Sequence, residues 1–195
     1  MGDLPVLFTP RLILSAFTLE DAPRIAEFAG DYDVAEMLVD TPHPYPEGMA
    51  DAWVDTHAEH WNHGNALYLA LRLRGDGLML GCVELHDIQP ALRAELGYWV
   101  APPFWGHGYA TEGVHAMISY AFGVLGLQRL DASVFVRNAP SIHILEQAGF
   151  QQEGLRPGYT QSVAGIEDVL LYGLRREQFA PDPGAVTPGT TPRSP

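Results

Sequence analysis

The segment Glu95-Leu-Gly-Tyr-Trp-Val-Ala-Pro-Pro-Phe-Trp-Gly-His-Gly-Tyr-Ala-Thr-Glu112 constrains this chain more than any other. An apolar strand runs into Pro102-Pro103, which no sheet interior accepts. A turn carrying Gly106 and Gly108 follows at once. Then Ala110, Val114, Met117, Ile118, Ala121, Phe122 and Leu125 recur at helical spacing until Gly126 closes the helix. Paired glycines let a backbone approach a ligand and turn successive N–H groups toward one spot. The helix start behind them adds partial positive charge, so a diphosphate can bind here without any lysine.

That last point matters because the chain has no lysine. Its 11 basic residues are all arginines, set against 24 acidic ones, for a formal net charge of −13. A phosphate-loop NTPase and a pyridoxal-phosphate enzyme each need a lysine and are excluded. Such a surface repels nucleic acid and anionic lipid and favours a cationic partner such as an amine. No run reaches the length of a membrane span, and Met1-Gly2-Asp3-Leu4-Pro5 lacks the layout of a secretory signal. The single cysteine, Cys82, excludes an internal disulfide and suits a reducing compartment. The expectation is a cytoplasmic protein with neither nucleic-acid nor membrane partners.

Elsewhere the pattern alternates between strand and helix. Arg11 to Phe17 reads as a strand, and Thr18-Leu-Glu-Asp21 starts a helix through Ile25 and Phe28. Beyond the prolines at 42, 44 and 46, a second helix is predicted from about Glu47 to His63. Leu67 to Arg74 and Leu78 to Ile88 form strands joined by Gly75-Asp76-Gly77, a hairpin signal. Ala94 to Val100 is the strand before the glycine turn, and Arg129 to Val136 the strand after the long helix. Asn138 caps a short helix ending at Gly149. Phe150 onward and Ile166 to Leu174 supply the last strands. The order β-α-α-β-β-β-α-β-α-β-β implies one α/β (α+β) domain over 1–178: a mixed, mostly antiparallel sheet of six to seven strands flanked by helices. Residues 179–195, rich in proline, glycine and threonine, read as a disordered tail.

Taken alone, Gly106-x-Gly108 has two other readings. A dinucleotide fingerprint requires a third glycine where Thr111 stands, and no βαβ unit opens the chain. A plain tight turn is the other. The longer context decides: strand, Pro-Pro, Trp-Gly-His-Gly-Tyr-Ala-Thr-Glu and long helix together resemble the coenzyme A-binding motif of the GNAT superfamily of N-acetyltransferases. That motif, Q/R-x-x-G-x-G/A, covers Pro103 to Gly108, with Pro103 departing from the usual Gln or Arg. Asn138-Ala-Pro-Ser141 and Ala148-Gly-Phe150 resemble the family's next motif, N-x-x-S with an A-G-F ending. Thr9-Pro-Arg-Leu-Ile-Leu14 and Glu167-Asp-Val-Leu-Leu-Tyr172 are similar to the Rim-type branch, which acetylates ribosomal-protein N-termini. The resemblance spans about residues 8 to 176.

The resemblance implies the acyl-CoA N-acyltransferase (GNAT) fold, acetyl-CoA as cosubstrate, no metal, and a homodimer. It implies that the backbone of Trp99 and Val100 bonds the pantetheine arm. Gly106, His107, Gly108, Tyr109 and Ala110 would present N–H groups to the pyrophosphate, and Asn138 would bond the arm as well as cap its helix. Transfer to a primary amine, on a protein N-terminus or a small molecule, needs a base and a donor for the departing thiolate. Ser141 is the donor the motif implies. The family's alternative tyrosine, seven residues after the asparagine, is Leu145 here. The branch's glutamate before the last strand is replaced by Tyr159-Thr160-Gln161, which leaves Glu84 and Glu95 as candidate bases; either can equally be an ion-paired strand residue. Without an obvious base, a non-catalytic acyl-CoA-binding sensor or scaffold is the alternative from another class.

Three further signals have plainer readings. His57, His60 and His63 drift by about 60° per step and do not converge on a metal, so a solvated helix face is expected. Cys82, Glu84 and His86 point to one side of their strand and could suggest a thiol nucleophile, but a small buried cysteine is the plainer reading. Trp53 and Trp61 lie on the helix that walls the acceptor site in the resembled fold, with core packing as the other reading. No G-x-S-x-G elbow or H-E-x-x-H run is present.

Overall fold

The computed structural model describes residues 3–179 and the backbone of Thr187 and Pro188. In chain order the elements are β1 (Leu7–Phe8), β2 (Leu12–Ser15), α1 (Ala22–Ala29), α2 (Tyr32–Ala35), α3 (Met49–His63), β3 (Leu67–Leu73), β4 (Met79–Gln89) and β5 (Arg93–Val100). They continue with α4 (Tyr109–Gly123), β6 (Arg129–Phe135), α5 (Ala139–Gln147), β7 (Gln151–Ser162) and β8 (Gly165–Arg175). One sheet orders them β7-β8-β6-β5-β4-β3-β2-β1, with Thr187–Pro188 pairing outside β1. Every neighbouring pair is antiparallel except β5 and β6.

The mixed, mostly antiparallel sheet between helices is as expected, but with more strands than the six to seven predicted. The extra one is β1, whose two residues are too short to show a period. It forms a hairpin with β2 through Thr9–Arg11. Phe179, the first residue of the expected tail, packs its ring on Phe122 with centroids 5.6 Å apart. The rest of the expected disorder in 179–195 lies outside the described residues, apart from the Thr187–Pro188 bridge.

The alternation of β3, β4 and β5 sends two residue sets to opposite faces. Leu67, Leu69, Leu71, Val83, Leu85, Leu96 and Val100 face α4, where they meet Val114, Met117, Ile118 and Ala121. Each fully buried side chain of this size contributes about 1.5–3 kcal/mol, so this face rather than local propensity holds α4 in place. The other face carries Ala70, Cys82 and Trp99 against Ile25 and Phe28 of α1 and Val54 of α3. Asp21 anchors that layer through Arg72, whose NH2 and NH1 reach its two oxygens at 2.6 and 2.8 Å. Burial pushes the Asp21 carboxyl up, but the bonds from Arg72 and Thr18 outweigh it and hold the group below its ordinary value.

One helix face departs from expectation. His63 is exposed, but His57 is 5 % exposed, and neither of its ring nitrogens has a hydrogen-bond partner. Its ring stacks on Tyr68 (4.3 Å, 15°) and meets Trp53 edge-on at 4.3 Å. Burial takes its pKa down to about 4, against a small upward pull from Glu84 and a further lowering by His60. The unfolded chain therefore binds a proton below about pH 6.5 that the folded chain refuses, so stability falls as pH drops through that window. Between pH 7 and pH 5 this costs about 2 kcal/mol. His57→Phe should remove that part of the pH dependence, read as the change in urea midpoint between the two pH values.

Candidate active site

The parallel pairing of β5 with β6 lasts for three residue pairs, Arg93–Arg129, Ala94–Leu130 and Glu95–Asp131. Beyond Glu95 the strands part. A cavity of about 750 Å³ opens in the gap, between Leu96–Trp99 on one side and Ala132–Phe135 on the other. Asn138, the N-cap of α5, and Ser141 and Leu145 of that helix also line it, as do Met37–Thr41 and Arg156, Tyr159 and Thr160.

At the end of β5 the glycine turn adopts the conformation its sequence requires. Gly106 and Gly108 have φ of 74° and 76°, a region that side-chain-bearing residues rarely enter. Gly108 is the N-cap of α4 and, having no side chain, leaves the first helical N–H groups open. The loop from Trp105 to Gly108 is exposed, and Tyr109 and Ala110 are half-buried behind it. The five expected phosphate-cradle residues are thus together. They lie beyond the cavity rather than within its lining.

The main chain of β5 distinguishes between the two expected pantetheine partners. Ala101 donates its N–H to Leu80 O at 2.9 Å, and Trp99 stands opposite Cys82 in the same ladder. Main-chain direction alternates along an antiparallel strand. Trp99 is therefore turned to β4, while Tyr98 and Val100 face the gap. This corrects the expectation for Trp99, whose side chain is also buried in the α1–α3 layer. The Val100 carbonyl, on the gap side, accepts from Trp105 Nε1. Ladder phase, which the sequence does not carry, decides the matter.

Asn138 caps α5 as expected, accepting from Ser141 N–H at 3.1 Å. Ser141 Oγ lies 2.8 Å from the hydroxyl of Tyr98, which also reaches the Ser141 carbonyl at 3.2 Å. Sequence reasoning missed Tyr98. Its signal was a hydroxyl on the inward, apolar register of β5, between Leu96 and Val100, where a buried tyrosine needs a polar partner. Leu145 leaves the family's tyrosine position apolar, and Tyr98 brings a phenol to Ser141 from the facing strand instead. Burial raises the Tyr98 pKa to about 12, with Ser141 pulling slightly the other way, so the phenol stays protonated at neutral pH.

Glu84 and Glu95 both line the cavity, on the sheet face opposite Tyr98. Glu84 Oε1 sits 2.9 Å from His86 Nε2, and Glu95 is the cross-strand neighbour of His86. The sequence placed His86 on the same strand face as Glu84 and Cys82, but not as the partner of Glu84. Burial lowers its pKa, but the Glu84 carboxylate, helped by Glu95 and Asp87, prevails and holds it above the ordinary value. Cys82 is fully buried, its Sγ 3.7 Å from Glu84 Oε2, and burial raises its thiol pKa well above the usual range. A thiolate nucleophile has no support there. Trp53 and Tyr68 wall the cavity; Trp61 is buried in the core on the α4 side. Among the described residues no His, Cys, Asp and Glu grouping could hold a metal, and no helix is long and apolar enough to cross a membrane.

The comparisons with known proteins agree with this geometry. The model of the acetyltransferase (GNAT) domain matches residues 11–151. The chain belongs to the GNAT acetyltransferase family. It is 30% identical over 178 residues to the uncharacterized N-acetyltransferase p20 of Bacillus licheniformis, covering 91% of this chain and 99% of that one. It is 30% identical over 172 residues to the uncharacterized N-acetyltransferase YoaA of Bacillus subtilis (strain 168), covering 87% and 96%. Mycobacterium smegmatis RimJ, solved in complex with CoA-disulfide, superposes with a TM-score of 0.78 at 24% identity, covering 90% and 91% of the two chains. The GNAT chain described here is thus an acetyltransferase.

The Glu84–His86 pair depends on Gly97, which lies opposite Glu84 on β5. A Cβ there would stand 2.8 Å from Glu84 Oε1 and 3.2 Å from His86 Nε2. Gly97→Ala should separate the pair. The His86 pKa, followed by NMR titration of its ring, should then fall to or below the ordinary histidine value, since burial would no longer be opposed.

Proposed function

We propose that this enzyme transfers the acetyl group of acetyl-CoA directly to a primary amine within a ternary complex. The observation that carries this reading is the break in β5–β6 pairing, which opens a gap onto Tyr98 and Ser141 from one face and onto Glu84 and His86 from the other. The gap edge, with Tyr98 and Val100 offering main-chain groups, fits an extended pantetheine arm that ends at the glycine turn. Acetyl-CoA would supply the activated thioester; the chain's residues supply binding, proton transfer and charge stabilisation.

An amine reaches the site as an ammonium ion and is drawn to the cavity by Asp40, Glu84 and Glu95. It must lose a proton before its lone pair can attack. The Glu84–His86 pair is the acceptor of that proton, with Glu95 lending further negative charge. The C–N bond forms as the C–S bond breaks, and negative charge passes to the sulfur. The Tyr98 hydroxyl has its proton directed at Ser141, to Oγ or the carbonyl; when Oγ accepts it, the Ser141 proton is available to the departing thiolate. The acceptor is a protein N-terminus or a small amine, and the acid-lined cavity suits either. A cytoplasmic setting and a homodimer belong to the same reading. No observation favours the sensor alternative.

Calorimetry with coenzyme A and acetyl-CoA tests the cradle, and Gly108→Asp should abolish the heat by placing a carboxylate among the N–H groups. Thiol release over a panel of amines tests transfer; intersecting initial-rate lines support a ternary complex, and parallel lines would refute it. Ser141→Ala and Tyr98→Phe should each lower kcat by about tenfold or more with the KM for acetyl-CoA little changed. The wild-type rate should rise with pH through the elevated pKa of His86, as the free base accumulates. Loss of that limb in His86→Gln would identify the titrating group.

A further inference from the structure

We propose that Arg11 is the positioning residue of the phosphate cradle, tying the β1–β2 hairpin to the glycine turn; this rests on the coenzyme reading above. Two observations converge on it. No arginine or lysine stands between Arg93 and Arg129, so the turn and α4 carry neither, and in the structure a guanidinium arrives from a different element. Arg11 NH1 donates to the His107 carbonyl at 2.8 Å, and its Nε lies 2.6 Å from Glu112 Oε2. The guanidinium also covers the Tyr109 ring, 4.8 Å from its centroid.

The first bond sets a direction. In a trans peptide the C=O and the following N–H point opposite ways. Holding the His107 carbonyl on the hairpin side therefore turns the Gly108 N–H outward. The second bond sets a charge. Glu112 is the acidic residue in the first turn of α4, and an ionised carboxylate there would oppose a phosphate. It is held instead by three donors of the hairpin: Arg11 Nε, the Arg11 main-chain N–H at 2.8 Å and the Thr9 hydroxyl. Although burial pushes its pKa up, those bonds outweigh burial and hold it below the ordinary value, so it stays ionised and paired. Arg11 thus orients the cradle's donors and cancels its nearest anion without itself occupying the phosphate position.

Arg11→Ala, Glu112→Gln and the double variant, compared with wild type by calorimetry and steady-state rates, test this. Loss of a charge-assisted brace should weaken coenzyme A by about tenfold to a hundredfold in Arg11→Ala. The KM for acetyl-CoA should rise in parallel, while kcat at saturation and the KM for the amine stay within about twofold. Adding Glu112→Gln should recover part of the lost affinity, since the exposed anion is then gone. Affinity unchanged in Arg11→Ala, or a fall in kcat equal to the rise in KM, would overturn the role of Arg11 while leaving the coenzyme reading intact. No heat from wild type with coenzyme A would overturn that reading, and the inference with it.

Discussion

The interaction on which the molecule depends is the short parallel ladder between β5 and β6. Parallel neighbours need a crossover, and here it is α4, whose buried stripe of Val114, Met117, Ile118 and Ala121 fixes it against the sheet. Because α4 begins just past the end of β5, its N-terminus lies at the carboxyl end of that strand, where open sheets hold their ligands. The ladder then stops after three pairs. Had it continued, the main chain of Leu96 to Val100 would be consumed by β6 and no gap would exist. One topological feature therefore yields both the helix terminus and the exposed strand edge. Such an edge requires partners, and the Trp105 indole satisfying the Val100 carbonyl shows how it is partly met from within the chain.

The gap also separates two kinds of chemistry by sheet face. Side chains of β5 alternate, so Tyr98 projects toward α5 and Ser141, while Gly97 and Glu95 project to the α3 side with Glu84 and His86. A pair of hydroxyls and a carboxylate–imidazole pair thus stand on opposite sides of the same strand. Each is tuned by its neighbours: burial keeps the Tyr98 proton on at neutral pH, and Glu84 keeps His86 basic despite burial. Both pairs line the same cavity, and the high pKa of Tyr98 keeps its proton in place beside them.

Much of this was legible in the sequence because it rests on local rules. The stripe on α4, the Asn138 cap, the hairpin at Gly75–Gly77 and the positive-φ glycines follow from periodicity and backbone sterics, and all are present. What was illegible depends on pairing between distant segments. Trp99 and Tyr98 are neighbours, and only the register with β4 tells which main chain faces the gap. His57 looked like its exposed helical companion His63, yet the Tyr68 ring from β3 closes over it. His86 shares a strand face with Glu84 in the sequence pattern, but its place in the site comes from the contact with Glu84 and from the absence of a side chain at Gly97 across the ladder. The polar, half-open β7 has no periodic burial to announce its full length, since it lies at the sheet's edge.

A chain of net charge −13 that takes an anionic cosubstrate poses an electrostatic problem, and the structure resolves it locally. At physiological ionic strength charges beyond about 8 Å in solvent are largely screened, so the overall excess of carboxylates matters less than the few near the cradle. Glu112, in the first turn of α4 behind the cradle, is paired by the hairpin. Glu84, Glu95 and Asp40 line the cavity instead. On the proposed function, the glycine turn and the acid-lined cavity would thus take the anionic and the cationic substrate at separate places. An arginine within the glycine turn would have drawn the phosphates more strongly. Holding the charge one element away, on Arg11, lets the backbone donors make the contact while the cation fixes their direction, so the turn can remain as narrow as its two glycines allow.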